Sequence, residues 1–160
     1  EPGWQTESWT AKGDKTQLAA YFEDWHPAVQ ALIAQTPPEQ CFKWALLVRQ
    51  PLTRWSTSRT TLLGDAAHPM VPYLAQGAAM ALEDAWVLSH FIANYDARTE
   101  ALKAYERARL KRTVDVQTAA WEQGQLNHAV GTAREADEFK GGNFAKADWI
   151  YNHNVTELYP

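Results

Sequence analysis

The feature that most constrains this chain is a proline-containing loop that leads from a short apolar segment into a long helix-forming run. Residues 62–85 read LLGDAAHPMVPYLAQGAAMALEDA. The run from Gln76 to about Ile92 is rich in Ala, Leu and Met and has no internal proline, which predicts a buried helix of about four turns. Residues 60–63, which are two threonines and two leucines, predict a strand that ends at Gly64. We therefore expect a strand, a loop and a helix in succession.

The start of this helix is suited to a negatively charged group. Unpaired N–H groups at a helix N-terminus carry about half a positive charge. Gly77 has no side chain to block approach to them, and Asp65 offers a carboxylate to ligand hydroxyls. Alone, Gly77 could merely permit tight packing, and a Gly-Asp pair is more often a turn than a ligand site. Together they indicate a site for a polyol with a delocalised anion, which describes a flavin.

The residues before this unit predict short elements. Asp14 is placed to cap a helix, and Pro27 suits the first turn of a second helix that runs through Ala34. Residues 42–48 are apolar and bounded by turn residues, which predicts a second strand. The chain as a whole therefore predicts an α+β fold that is mostly helical.

A second long helix is predicted after residue 95. Asp96 or Thr99 can cap it, and it should end between Ala120 and Ala129. Residues 131–143 predict a loop, and residues 145–151 predict a last turn of helix. Four basic side chains of the long helix are predicted to be solvated, namely Arg107, Arg109, Lys111 and Arg112.

Composition excludes several classes of partner. Lys and Arg total 15 against 19 for Asp and Glu, so nucleic acid is not expected. No apolar run approaches the ~20 residues that cross a bilayer, and no membrane partner is expected. The five histidines are widely spaced, so no metal site is predicted. Because Cys41 is the single cysteine, no internal disulfide can form, and we predict a cytoplasmic location.

Three titratable residues near the loop are predicted to have structural roles. Histidine is a common general base, but a histidine in a turn, such as His68, more often hydrogen-bonds neighbouring groups and holds the loop. Glu83 and Asp84 lie in the second turn of the helix, where carboxylates commonly bond to local donors. No catalytic residue is assigned.

The run at 62–85 resembles the flavin-contacting motif of single-component FAD-dependent aromatic hydroxylases, and HPMVPYLAQGA is most similar to the salicylate and 6-hydroxynicotinate hydroxylase branch. The likeness extends to WHPAVQALI at 25–33, RQPLTRW at 49–55 and DWIY at 148–151. It implies a C-terminal fragment of a two-domain FAD monooxygenase fold. The N-terminal Rossmann-type unit would be absent, since no G-x-G-x-x-G follows a strand.

The resemblance also implies a division of the chain and roles for single residues. Residues 1–62 would form the end of the substrate-binding region, with strands and short helices, and residues 63–160 the flavin-contacting loop and helical segment. Asp65 would bind the ribityl hydroxyls of FAD, and Pro72 would lie beside the isoalloxazine ring and the substrate. Tyr73 would line the substrate pocket, although a packing role is an equal alternative. The remaining cofactor-binding positions would be Gly64 and the backbone of Gln76, Gly77 and Ala78, which would face the flavin pyrimidine.

The intact protein implied by this resemblance uses NAD(P)H and O2 to hydroxylate a small hydroxylated aromatic acid. Its missing N-terminal part would be the main partner of this chain, and the chain alone is expected to be inactive and not to retain FAD. Two alternatives stay open. The chain could be a non-catalytic helical interaction module, which could form a homodimer, or part of a related flavoprotein that does not hydroxylate.

Overall fold

The structure, a computed structural model, describes residues 8–128 and 147–160. Two compact units follow one another along the chain, the first ending at Leu47 and the second beginning at Val48. The division predicted between residues 62 and 63 concerns contacts with substrate and flavin, and it stays a prediction. The described helices are α1 (Lys15–Tyr21), α2 (Pro27–Gln35), α3 (Gly77–Asn94), α4 (Arg98–His128), α5 (Asp148–Tyr151) and α6 (Val155–Leu158).

The first unit contains the two short helices that the sequence predicts. The Asp14 carboxylate accepts hydrogen bonds from the backbone N–H groups of Thr16 at 2.8 Å and Gln17 at 3.3 Å, so it caps α1. Pro27 is the first residue of α2, where its missing N–H leaves no helical bond unmade. His26 Nδ1 caps the same helix by accepting from Ala28 N at 3.2 Å. Both helix predictions are confirmed.

The predicted strands are wrong, because no described residue belongs to a sheet. The segment 42–48 makes one antiparallel bridge, between Phe42 and Lys12, and is otherwise irregular. Apolar composition favours an extended backbone, but a strand also requires a partner along its length. The mostly helical character is confirmed, while the β part of the predicted α+β class is not found within residues 8–128 and 147–160.

The segment 60–63 finds its partners elsewhere. Two backbone hydrogen bonds fold it back on the preceding residues, from Thr57 N to Thr60 O at 2.8 Å and from Leu62 N to Trp55 O at 3.3 Å. Side chains of α4 supply the next bonds: the Glu106 carboxylate accepts from Trp55 N at 2.7 Å, and the Tyr105 hydroxyl donates to Leu62 O at 3.2 Å. A helix therefore takes the place of a neighbouring strand.

Helices α3 and α4 form the framework of the second unit. Three residues connect them, so the helices return along each other and pair side chains such as Asp84 and Arg109. Because α4 begins at Arg98, Ala97 occupies the cap position, and neither Asp96 nor Thr99 does. Helix α4 is described as far as His128, within the predicted range.

Two buried clusters place the loop of residues 64–76 between these helices. Helix α3 contributes one fully buried side chain to each cluster, Met80 to the first and Val87 to the second. Burial of such a side chain contributes about 1.5–3 kcal/mol relative to exposure. The first cluster consists of Val71, Leu74, Met80, Val116, Ala120, Ala147 and Ile150, and the second of Trp55, Ala67, Val87 and Tyr105.

The C-terminal residues add two short helices. Helix α5 confirms the last helical turn predicted around residues 145–151, whereas α6 was not predicted. The loop predicted at residues 131–143 lies outside the described residues. Across the described ranges, none of the helices combines the length and apolar character needed to span a membrane.

Candidate functional site

The loop begins with a turn that requires glycine. Gly64 has φ +58°, in the left-handed region, and a Cβ at this position would lie 3.3 Å from Ala81 Cβ on α3. The carbonyl of Gly64 accepts from Ala67 N at 2.8 Å and His68 N at 2.9 Å. This tight turn leaves Asp65 exposed to solvent while His68 is buried.

A buried carboxylate fixes both ends of the turn. Asp84 accepts from Gly64 N at 3.0 Å and His68 Nε2 at 2.6 Å through one oxygen, and from Arg109 Nε at 2.7 Å through the other. Burial alone would raise the pKa of Asp84, but these three hydrogen bonds and the Arg109 charge outweigh it, so the pKa lies below its ordinary value. Asp84 is therefore an ionised anchor that joins the loop to α4.

Its neighbour Glu83 extends the network toward the C-terminal helices. Glu83 accepts from Arg109 Nη1 at 2.6 Å and Arg112 Nη2 at 3.0 Å. Burial opposes ionisation of Glu83, yet bonds from the two guanidinium groups lower its pKa. Arg112 also donates to the carbonyls of Trp149 and Ile150, at 3.0 Å each. The same two carboxylates thus connect the loop, α4 and α5.

This network agrees with the structural roles predicted for His68, Glu83 and Asp84, but it corrects the prediction for two arginines. Arg109 is 2% exposed, and Arg112 is also largely buried, although both were expected to be solvated. Their acidic partners lie on another helix, so the residues next to them in sequence do not predict their burial. The available signal was the three-residue spacing of Arg109 and Arg112, which places both on one helix face opposite a pair of acids.

Two polar side chains hold the outer carbonyls of the loop. Arg49 Nη2 donates to Ala67 O at 2.9 Å. Gln117 Nε2 donates to Pro69 O at 2.8 Å and to Arg49 O at 3.0 Å. Arg49 lies in the RQPLTRW segment that the resemblance included, but neither residue was predicted to contact the loop. The loop is consequently fixed from both of its sides.

The N-terminus of α3 is open among the described residues. The first helical hydrogen bond runs from Met80 N to Gln76 O at 2.9 Å, and no described side chain caps the preceding N–H groups. The first turn contains no acidic residue of its own. A Cβ at Gly77 would lie 4.0 Å from Asp65 Oδ1, which places the exposed carboxylate beside this helix end.

The other predicted site residues occupy different positions around that helix end. Pro72 and Ala78 are exposed, Gln76 is buried, and its side-chain amide donates to Leu74 O at 3.4 Å. Tyr73 is partly buried against the cluster that includes Leu74. The structure therefore brings Asp65 and Gly77 together at an open helix N-terminus, with Ala78 and Pro72 accessible, while Gln76 is turned inward.

These features define a class of site, an anion-favouring helix N-terminus with a carboxylate able to accept from hydroxyl groups. The donor set fits a flavin, whose ribityl chain carries hydroxyls and whose pyrimidine ring becomes negative on reduction. The chain belongs to the FAD binding domain family, whose model matches residues 3–120. FAD is the cofactor of that family.

Curated relatives with similar sequences are aromatic-acid monooxygenases. The 3-amino-4-hydroxybenzoate 2-monooxygenase PtmB3 of Streptomyces platensis is 44% identical over 128 residues, which cover 79% of this chain and 32% of that protein. The 3-hydroxybenzoate 6-hydroxylase 2 of Aquipseudomonas alcaligenes is 38% identical over 159 residues, covering 94% of this chain and 49% of that protein. This chain therefore spans between about a third and a half of these relatives.

A solved structure agrees with the sequence comparison. A salicylate hydroxylase in a substrate complex superposes with a TM-score of 0.78 and 26% identity, over 98% of this chain and 39% of that protein. The arrangement of α3, α4 and the loop between residues 64 and 76 is thus similar to one found in a salicylate hydroxylase.

Proposed function

We propose that this chain is the C-terminal, flavin-contacting part of an FAD-dependent monooxygenase that hydroxylates a small hydroxylated aromatic acid with NAD(P)H and O2. The named relatives are monooxygenases of aromatic acids, and the family match covers the loop and α3. The missing N-terminal part of the same enzyme would supply the Rossmann-type unit, and a cytoplasmic location stays part of this proposal.

The observation that carries the proposal is the exposed Asp65 carboxylate beside the open N-terminus of α3. Asp65 would accept hydrogen bonds from the ribityl hydroxyls, and the turn at Gly64 would hold it in position. The backbone N–H groups at Gly77 and Ala78 would stabilise negative charge on the pyrimidine ring. The backbone of Gln76, at the cap position of α3, would face the same ring. FAD supplies the redox chemistry of the reaction when it is bound.

Two further residues would face the substrate. Pro72 is exposed at the first position of its turn, which suits a rigid wall beside the flavin ring. Tyr73 follows it and would line the aromatic-substrate pocket. Their rigidity is supported by the fixed loop, because Arg49, Gln117 and Asp84 each hold part of the backbone before this turn.

The test is FAD affinity of Asp65→Asn and Asp65→Ala in the longest protein that contains this chain, measured by flavin fluorescence quenching. Removing a charged hydrogen-bond acceptor should weaken FAD binding by about tenfold or more. Asp96→Asn is the matched control, since Asp96 is also exposed but lies beyond the far end of α3, about 27 Å along the helix. Equal affinities for the Asp65 variants and the control would exclude this role.

Turnover is tested with a panel of 3-hydroxybenzoate, 3-amino-4-hydroxybenzoate and salicylate, in the presence of NADH or NADPH. Substrate-dependent oxygen uptake with a hydroxylated product supports the proposal. NAD(P)H oxidation without hydroxylation of any aromatic acid would instead support a related flavoprotein of another reaction.

The 160-residue chain by itself should be colourless after purification and should not turn over this panel, because the predicted site lacks the rest of the flavin-binding fold. A chain that retains stoichiometric FAD contradicts this part of the proposal. Sedimentation equilibrium of the same sample distinguishes a monomer from the homodimer that the interaction-module alternative includes.

A further inference from the structure

A buried glycine near the described end of α4 lies directly against the ring of Tyr73. Gly124 is buried, and a Cβ built on it would lie 2.5 Å from both Cδ2 and Cε2 of that ring. Real Cβ atoms essentially never approach another atom so closely. The edge of the Tyr73 ring therefore occupies the space that any other side chain at position 124 would need.

The helix itself gives no reason for this glycine. Glycine is among the poorest helix formers, and Gly124 lies within α4, four residues before its described end at His128, where alanine would be favoured. Val116 and Ala120 lie on the same face, two turns and one turn earlier, and both belong to the buried cluster against which Tyr73 packs. The side chains of this face thus decrease in size toward Gly124, which leaves room for the ring.

The backbone that carries Tyr73 is fixed independently of the ring. The turn Pro72–Leu74 ends at Ala75, whose N–H donates to Pro72 O at 2.9 Å. The hydroxyl of Tyr151 on α5 donates to Leu74 O at 3.3 Å, and Leu74 is buried. Because the backbone is held on this side, an added side chain at position 124 would displace mainly the Tyr73 ring.

We propose that Gly124 is a positioning residue that sets where the Tyr73 ring lies and thereby determines the shape of the aromatic-substrate pocket. This inference rests on the proposed function, in which Tyr73 lines that pocket. Gly124 acts only through the tyrosine ring and contacts neither FAD nor substrate. The space at position 124 would then select among aromatic acids that differ by one ring substituent.

The first experiment compares Gly124→Ala with the unaltered enzyme, as FAD-loaded full-length protein, on 3-hydroxybenzoate, 3-amino-4-hydroxybenzoate and salicylate. We expect the ratio of kcat/KM values between the best substrate and another member of the panel to change by about tenfold, the range of a methylene-sized change in a pocket. FAD affinity should stay within about twofold. Glu122→Ala is the control, since Glu122 is exposed in the same turn of α4. An unchanged substrate ratio would overturn the inference.

The second experiment is a double-mutant cycle with Gly124→Ala, Tyr73→Ala and the double variant. If the ring contact is the cause, Gly124→Ala lowers Tm in the native background but leaves it equal or higher in the Tyr73→Ala background. Equal effects in both backgrounds would overturn the inference. Should Gly124→Ala not fold, recovery of folded protein by adding Tyr73→Ala supports the contact, and a double variant that stays unfolded while Tyr73→Ala folds contradicts it.

The two experiments separate this inference from the proposed function. A full-length protein that binds no FAD, or that binds FAD and hydroxylates no aromatic acid, refutes the proposed function, and the pocket inference with it, while the Tm cycle still decides whether Gly124 positions Tyr73. An active enzyme with thermal coupling and an unchanged substrate ratio refutes the pocket inference alone.

Discussion

His68 Nε2 lies 2.6 Å from Asp84 Oδ2, and both side chains are almost completely buried. The opposite oxygen of Asp84 accepts from Arg109 Nε. One carboxylate thus joins an imidazole on the loop to a guanidinium on α4, and Gly64 N shares its first oxygen. Asp84 therefore fixes the first turn of the loop against α3 and α4, while Gln117 holds the loop farther along at Pro69 O.

Asp84→Ala should strongly destabilise the protein. Removal of the carboxylate leaves the Arg109 charge buried with Glu83 as its remaining acidic partner, and loss of one member of a buried pair costs about 3–5 kcal/mol. Chemical denaturation measures the free energy of unfolding. Asp115→Ala removes an exposed partner of Lys111 and should change that free energy by no more than about 1 kcal/mol. Similar losses for both variants would contradict the anchor role of Asp84.

Acid should weaken the fold through Glu83 and Asp84. Both pKa values are lowered in the folded state, so their stabilisation is fully present above the unfolded values near 4.5 and 3.8 and is lost as the pH falls through the folded values. The urea midpoint should therefore decrease below about pH 4.5. In Glu83→Gln this decrease should be smaller. An identical pH profile for the variant and the wild type would show that Glu83 is not responsible.

His153 should contribute an acid sensitivity that begins at higher pH. Burial, and then the nearby Arg112 charge, lower the pKa of His153, and the attraction of Glu83 at 3.8 Å does not offset them. The folded state therefore favours neutral His153, and stability falls as the pH decreases through the unfolded value near 6.5. His153→Gln should flatten the profile between about pH 5 and 7. A slope in that range that persists in the variant would assign it to other groups.

Gly64→Ala should disturb the turn that carries Asp65. The left-handed φ of +58° costs an alanine about 1–2 kcal/mol, and the new Cβ would also contact Ala81. We expect a lower Tm and weaker FAD binding in the full-length protein. Gly64→Asn should lose less, because asparagine tolerates this backbone conformation better than alanine. Equal losses for the two substitutions would indicate that the contact with Ala81, rather than the backbone angle, is decisive.

Local signals explain why the helices could be predicted from sequence. Asp14 and Pro27 stabilise the helix starts through groups within a few residues of their own positions. A cap or a first turn can therefore be predicted without knowledge of the fold. The extended segment 60–63 required a partner, and its partners proved to be Trp55, Thr57 and Tyr105, the last of them on a helix. The β-forming composition of this segment could not distinguish these partners from a neighbouring strand.

The candidate site also combines contacts that the local sequence predicts with contacts that it does not. The proximity of Asp65 to Gly77 was predictable, because a single loop joins them and the helix start attracts polar groups. Arg109 was predicted to be solvated, because the sequence places it among the charged residues of its helix, apart from the expected apolar stripe. Its burial depends on Asp84, which lies 25 residues away on another helix. Contacts at that separation follow from packing: the spacing of Arg109 and Arg112 indicates a shared helix face, but it does not identify the partner on α3.

The guanidinium of Arg109 bonds to two successive residues, Glu83 through Nη1 and Asp84 through Nε. A lysine has one nitrogen and could not reproduce this geometry. Replacing either acid alone would leave a buried cation with an incomplete set of acceptors, so each single substitution would destabilise the folded state. During sequence divergence, these three positions should therefore be inherited as a unit, retained together or exchanged together for an apolar set of similar volume.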